Sequence, residues 1–385
     1  MPNENDDYAG EIEYRLPYLK KHVLNEESLS RLQANDPVLE HLTYSGFFDS
    51  DDWIAGTGPA IGNSDVLRML NVSWFQLSCY RRAIQELEDF CLGLQHNRSI
   101  EYLFLRTDIT FPSGPDIFQV IAPFFKYNRK LKLVDISLED DVKSSLFRSL
   151  LSALSNCKND QLQCFRISLT CTFTDEDAKS LIDLLKTQQT NLLELYFDHE
   201  IESWGITALA NLLTYSESKI HALNLQYHEF DDEHVTILGA ALVTNKTVKK
   251  LTLGETIICT PGLAGWRGFA QCLRHHNSVL EELCIECLYN DDIESIREIM
   301  SATVHNRSLK LLSICPREHE IELDWLSLSE ILCNAKSIDS TFSSNHTLID
   351  FRVGCDWASD DEDCNPYVIM NADDDDKAAV ARQKI

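Results

Sequence analysis

Apolar and polar positions along this chain fall into one recurring unit. A frame of the form L-x-x-L-x-L, with an apolar residue at each marked place, starts at Leu39, Leu67, Ile100, Leu131, Leu162, Leu192, Ile220, Val248, Leu280, Leu309 and Leu348. Successive starts lie 28 to 33 residues apart, and the last interval is 39. The alternation inside a frame has the period of two that predicts a short β-strand. Between frames the apolar residues recur at helical spacing. Ala178, Leu181, Ile182 and Leu185 form one such stripe, and Val235, Leu238, Ala241 and Leu242 form another. Thr174 and Asp177 stand in capping-box spacing ahead of the first stripe. Each unit therefore predicts one strand followed by one helix.

A lone strand and helix cannot cover their apolar faces, whereas stacked copies bury them in one continuous core. The pattern implies an α/β solenoid of about 11 repeats over residues 35–356, with parallel strands on a concave side and helices on the convex side. Residues 1–34 are expected to cap the amino end as helices, from EIEYRLPYLKKHV and EESLSRLQ. Residues 357–385 are expected to supply a carboxyl-terminal cap and then an acidic, disordered tail. The Gly- and Pro-containing stretch Phe47–Ile61, and the run GTGPAIG within and just beyond it, predict a loop. Pro123 predicts a kinked or shortened helix, and the long last interval predicts an inserted loop around Pro316–Trp325.

The tetrapeptide HNRS occurs at His96–Ser99 and again at His305–Ser308, each time just before a frame. Asn97, Asn128, Asn245, Asn277, Asn306 and Asn345 all lie three residues ahead of a frame's first apolar residue. Asparagine tolerates left-handed backbone and hydrogen-bonds nearby main chain, which suits a helix-to-strand corner. The Asn-x-Ser/Thr triplets at Asn97, Asn245, Asn306 and Asn345 then arise from the repeat, without any role as glycan acceptors. A fifth triplet, at Asn71, falls within a strand.

These features together, N-x-S/T-L-x-x-L-x-L at this period with a helix in each unit, resemble a leucine-rich repeat of the long, ribonuclease-inhibitor-like subtype. The resemblance implies a horseshoe solenoid that serves protein–protein interaction. Its turn asparagine, eight residues after the first leucine, is replaced here by Asp108, Glu139, Thr170, Glu200, His228, Thr256 and Leu288.

Composition narrows the function. With 61 acidic against 34 basic side chains the net charge is −27, which disfavours nucleic acid and leaves room for a partner of basic character. The chain lacks a long apolar run, its start is acidic, and its 13 cysteines are scattered through apolar segments; this predicts a cytoplasmic protein with reduced thiols, the nucleus also being open to it, and no membrane partner. No motif for zinc proteolysis, phosphate cradling or a nucleophile elbow occurs, so neither a catalytic residue nor a cofactor is assigned. Cys284 and Cys287, with Cys315 one repeat later, are too few for a structural zinc site and read as buried or redox-sensitive thiols.

Strand alternation places the second, fourth and sixth residues after each frame start on the concave face. Tyr102, Phe104 and Arg106, then Leu133 and Asp135, Arg166, and Glu194, Tyr196 and Asp198 form the candidate partner-binding surface. Aromatic and arginine side chains are the types that dominate binding energy. The expected function is a non-enzymatic interaction module. Two alternatives are a GTPase-activating regulator, since about eleven long repeats with an acidic tail are similar to the Ran GTPase-activating protein family, and an acidic chaperone of basic proteins.

Overall fold

The computed structural model describes residues 20–47, 56–75, 88–107, 116–138, 144–155, 157, 162, 164–169, 173–187, 193–197, 203–215, 218–228, 230–255, 261–288, 293–304, 306–316 and 344–353. Twelve strands form one sheet in chain order, and every described pair is parallel. They are β1 (Lys21–Val23), β2 (His41–Phe47), β3 (Met69–Phe75), β4 (Tyr102–Thr107), β5 (Leu133–Leu138), β6 (Cys164–Leu169), β7 (Leu193–Phe197), β8 (Ile220–His228), β9 (Lys250–Glu255), β10 (Glu282–Leu288), β11 (Leu311–Pro316) and β12 (Asp350–Val353). The helices are α1 (Glu26–Gln33), α2 (Thr57–Asn63), α3 (described over residues 88–94), α4 (Ile117–Tyr127), α5 (Ser144–Ser155), α6 (Asp175–Thr187), α7 (Ser203–Thr214), α8 (Asp232–Thr244), α9 (Leu263–Arg274) and α10 (Ile293–Thr303).

The frame residues make the core. Leu103 and Leu105 of β4, Val134 and Ile136 of β5, and Phe165 and Ile167 of β6 are buried with Phe118, Phe124, Phe147 and Leu151 from the helices. Rings continue this packing across repeats: Phe173 meets Phe197 edge-on at 5.3 Å between centroids.

The asparagines explain how one repeat is joined to the next. Asn97 donates from Nδ2 to the Ile61 and Ser64 carbonyls of the preceding repeat, while its Oδ1 accepts from the Ser99 and Ile100 amides. Asn245, Asn306 and Asn345 repeat the arrangement, reaching back to the Leu213, Leu273 and Thr303 carbonyls and accepting from their own next amides. Each side chain thus satisfies a carbonyl at the end of the previous helix, where no intrahelical donor exists. All four are buried, so their side chains are committed inside the fold.

The left-handed backbone expected there is absent: Asn128 and Asn245 have φ of −77° and −68°. The selection is for the side chain's paired donor and acceptor. Asn277 is not a member of the set. It is exposed, because α9 ends with His275 as its cap two residues earlier, leaving Asn277 in a longer turn.

Three further expectations are corrected. The stretch KKHV is not helical, since Lys21–Val23 pairs with β2 as strand β1; EESLSRLQ is α1, as its pattern predicts. GTGPAIG is not a loop but the body of α2, starting from Gly56 at φ 91°. Pro59 sits in the first turn, where its missing N–H has no intrahelical acceptor. Gly58 and Gly62 are used for contact: a Cβ on Gly58 would stand 2.0 Å from the Asp89 carbonyl oxygen, and one on Gly93 would stand 1.9 Å from that of Gly58. Finally, α4 is not cut short at Pro123 but continues past it to Tyr127. The loop expected around Pro316–Trp325, apart from Pro316 at the end of β11, the turn positions Asp108, Glu139, Thr170, Glu200 and Thr256, and the carboxyl-terminal segment lie outside the described residues. Among the described residues, no helix is long and apolar enough to cross a membrane.

Candidate functional site

The open face of the sheet, opposite the helices, carries the candidate residues in rows set by strand register. Phe104 stands opposite Asp135, Asp135 opposite Arg166, and Arg166 opposite Glu194. A second row runs Arg106, Ser137, Ser168 and Tyr196. From β2 to β12 the frames of neighbouring strands are level over their middles, with irregularities at one end of the β7–β8, β8–β9 and β10–β11 pairs and one full step. Between β6 and β7 the pairing steps by two residues, so that Phe165 meets Leu193 and Ile167 meets Leu195. A step of two preserves which side chains face the core, whereas a step of one would invert them. It moves Glu194 beside Arg166, where level frames would place Tyr196.

The result is a connected network. Arg166 Nε donates to Glu194 Oε2 at 2.8 Å, and its Nη1 donates to Asp135 Oδ2 at 3.2 Å. The guanidinium carbon lies 5.6 Å from the centre of the Tyr196 ring, whose hydroxyl donates to Glu194 Oε2 at 3.4 Å. Arg166 and Asp135 side chains are 18% and 19% exposed; that of Glu194 is fully buried. Burial alone would weaken the charge on Arg166, but the two carboxylates outweigh it and hold the guanidinium firmly protonated. Burial raises the Asp135 carboxyl above its ordinary range, against the pull of Arg166. The Tyr196 phenol is raised as well, first by burial and then by the Glu194 charge. Tyr196 therefore serves as a neutral donor and a ring platform.

Around this network Tyr102 and Phe104 are half-buried and Arg106 is exposed. Lys132 Nζ lies 5.8 Å from the Tyr102 ring centre. Leu133 and Glu194 are buried, so they offer a partner no surface. Asp198 lies outside the described residues. Cys284 stands opposite Ser313 and Cys315 opposite Glu286, which sets the two cysteines on a diagonal. Among the described residues no group of three or more His, Cys, Asp and Glu is placed to hold a metal ion.

A feature missed in the sequence runs along the strand entrances. Along two runs of adjacent strands the residue after the frame start alternates in charge: Glu40, Arg68, Glu101 and Lys132, then Lys249, Glu281 and Lys310. Arg68 bridges Glu40 at 3.4 Å and Glu101 at 3.1 Å, and Lys132 reaches Glu101 at 2.7 Å. Lys249 and Lys310 each lie 2.6 Å from Glu281. Opposite charges on adjacent strands favour this order of neighbours, and like charges would oppose any other. The signal was available in the sequence once the frames were aligned.

Repeat frame, parallel sheet and interleaved helices define the fold as a leucine-rich-repeat solenoid. The chain is 24% identical over 226 residues to human "NACHT, LRR and PYD domains-containing protein 14", covering 57% of this chain and 19% of that protein. It is 22% identical over 219 residues to the mouse protein of the same name, covering 56% and 21%. The chain thus spans about a fifth of the length of these curated relatives. No family model matches. Among solved structures, the tropomodulin C-terminal domain of Caenorhabditis elegans aligns at 15% identity and TM-score 0.29, over 48% of this chain and 90% of that one. Leiomodin-1 Actin-Binding Site 2 aligns at 16% identity and TM-score 0.30, over 49% and 91%. A Bacteroides fragilis protein aligns at 11% identity and TM-score 0.40, over 73% and 75%.

Proposed function

We propose that this chain is a non-enzymatic protein-interaction module whose partner lies on the open face of the sheet, centred on β4 to β7. The observation that carries this reading is the concentration of half-buried aromatic rings and arginines there: Tyr102, Phe104 and Arg106, with Tyr196 and Arg166. Such side chains present large, orderly contact area on a rigid support. Arg166 is fixed by two carboxylates and one ring, so little freedom remains for a partner to remove. Because Asp135 and Glu194 are both engaged by Arg166, and Glu194 is buried, recognition falls to the rings and Arg106 more than to the acids on which a basic partner would depend.

The test compares the intact protein with a Tyr102→Ala, Phe104→Ala, Arg106→Ala variant, which leaves the Arg166 network in place. Partners are captured from native cytosol, and circular dichroism checks that the fold is unchanged. Loss of a partner with the open-face variant, and its retention by a charge-matched variant of the helical face, is expected. Equal capture by all three proteins would refute the assignment.

A further inference from the structure

Many cations among the described residues are paired with carboxylates. Arg68, Arg166, Lys249, Lys250, Arg274 and Lys310 each lie 2.5 to 3.1 Å from a carboxylate oxygen. At one corner, cations without such a partner gather beside an exposed ring. Where α4 ends and the chain turns into β5, Tyr127 is 51% exposed, and Lys126 Nζ lies 5.1 Å from the centre of its ring. Arg98, from the equivalent turn one repeat earlier, places its guanidinium carbon 5.6 Å from the same ring. Lys130 is exposed two residues past Asn128, in the same turn.

Among the described residues no carboxylate pairs with Arg98, Lys126 or Lys130. The corner is held firmly. Arg98 Nη1 donates to the Gln95 and Asn97 carbonyls at 2.7 and 2.6 Å. Asn97 and Asn128 beneath it are buried and bonded to the main chain. It is also distinct from the open face, because it lies at the helix-to-strand corner ahead of the strand.

We propose that this corner is a second interaction surface, one that takes an acidic peptide segment of a partner protein. Two unneutralised cations against an exposed ring, with Lys130 in the same turn, attract carboxylates, and the ring offers an apolar platform to the peptide. Charge complementarity argues for a short acidic segment over nucleic acid. A polyphosphate backbone would bring its whole charge against a body of net charge −27, whereas a peptide of a few carboxylates confines the attraction to the corner.

The test is fluorescence anisotropy of the full chain with a short labelled peptide of Asp and Glu carrying a central Phe, at low and high salt. The variant Arg98→Gln, Lys126→Gln, Lys130→Gln removes the corner's charge. The variant Lys179→Gln, Lys186→Gln, Lys246→Gln removes the same charge elsewhere. Binding weakened about tenfold by the first and no more than about twofold by the second is the expected result, with both variants melting like the parent. Equal weakening by the two would assign the effect to net charge alone and overturn the proposal. Absence of peptide binding would overturn it too. So would a single-stranded oligonucleotide or inorganic phosphate that binds the same residues more tightly than the peptide, because the surface would then be a phosphate site.

Discussion

Arg166 Nε lies 2.8 Å from Glu194 Oε2 across the pair of strands whose frames are out of step. The contact depends on that step, since level frames would set Tyr196 opposite Arg166. The network is thus a clamp at the junction between the first six strands and the last six. Truncating Arg166 leaves Glu194 buried without its cation, which costs about 3–5 kcal/mol when one member of such a pair is removed. We expect Arg166→Ala to lower stability by that amount in urea unfolding followed by circular dichroism. Adding Glu194→Gln should restore part of it. A loss below about 0.5 kcal/mol would show that the junction does not rely on the pair.

The buried asparagines make a contrast inside one molecule. Asn97 satisfies two carbonyls and two amides in the core of a turn, whereas Asn277 is exposed at the same sequence spacing. Removing a buried side chain of this kind strands several main-chain groups, each worth about 1–3 kcal/mol. Asn97→Ala is therefore expected to destabilise by about 3 kcal/mol or more, and Asn277→Ala by less than about 0.5. The two midpoints in denaturant decide this, and equal values would remove the asparagine its joining role.

Much of this architecture is legible in the sequence because its cause is periodic. Frames and stripes repeat, so they fix strand, helix and core residues such as Leu103, Ile136 and Leu238 without reference to distant contacts. The face of each strand is legible for the same reason, which brought Asp135, Arg166 and Tyr196 together in advance. What remained hidden was whatever broke the period. The two-residue step under Glu194 follows from pairing between strands, which no single frame contains. Glycine at 58 and 93 reads as a breaker in isolation and acts as a contact only when α2 and α3 lie side by side. Burial of Leu133 and Glu194 on the open face likewise depends on neighbours in other strands.

That helix contact gives a sharp steric expectation. A methyl group on Gly93 would overlap the Gly58 carbonyl oxygen at 1.9 Å, whereas one on Gly262 would meet the Asp232 carboxylate at 3.5 Å. Alanine at 93 must push α2 and α3 apart, a strain of about 1–3 kcal/mol or more. Gly93→Ala should lower the thermal midpoint by several degrees, and Gly262→Ala should leave it within about two. Equal midpoints would mean that the two helices can separate freely.

The charge ladder at the strand entrances predicts how stability responds to acid. For Glu101 and Glu281, burial alone would raise the carboxyl, but hydrogen bonds from Arg68 and Lys132, and from Lys249 and Lys310, outweigh it and lower both below the ordinary value of 4.5. A depressed carboxyl contributes stability that is present above its unfolded value and lost as the pH falls through its folded one. Asp135 has the opposite sign, since its raised carboxyl contributes less as the pH climbs through the carboxylate range. The two effects separate by substitution. Between about pH 7 and pH 3, Glu101→Gln with Glu281→Gln should melt below the parent at neutral pH, with the gap closing as the pH drops below 4.5. Asp135→Asn should change the slope in the other direction, gaining on the parent as the pH rises. High salt should shrink the glutamate gap more than the Asp135 effect, because the ladder's cations are 34% to 56% exposed whereas Arg166 is 18% exposed. A gap that stayed constant across the acid range would show that those glutamates act by packing and not by charge.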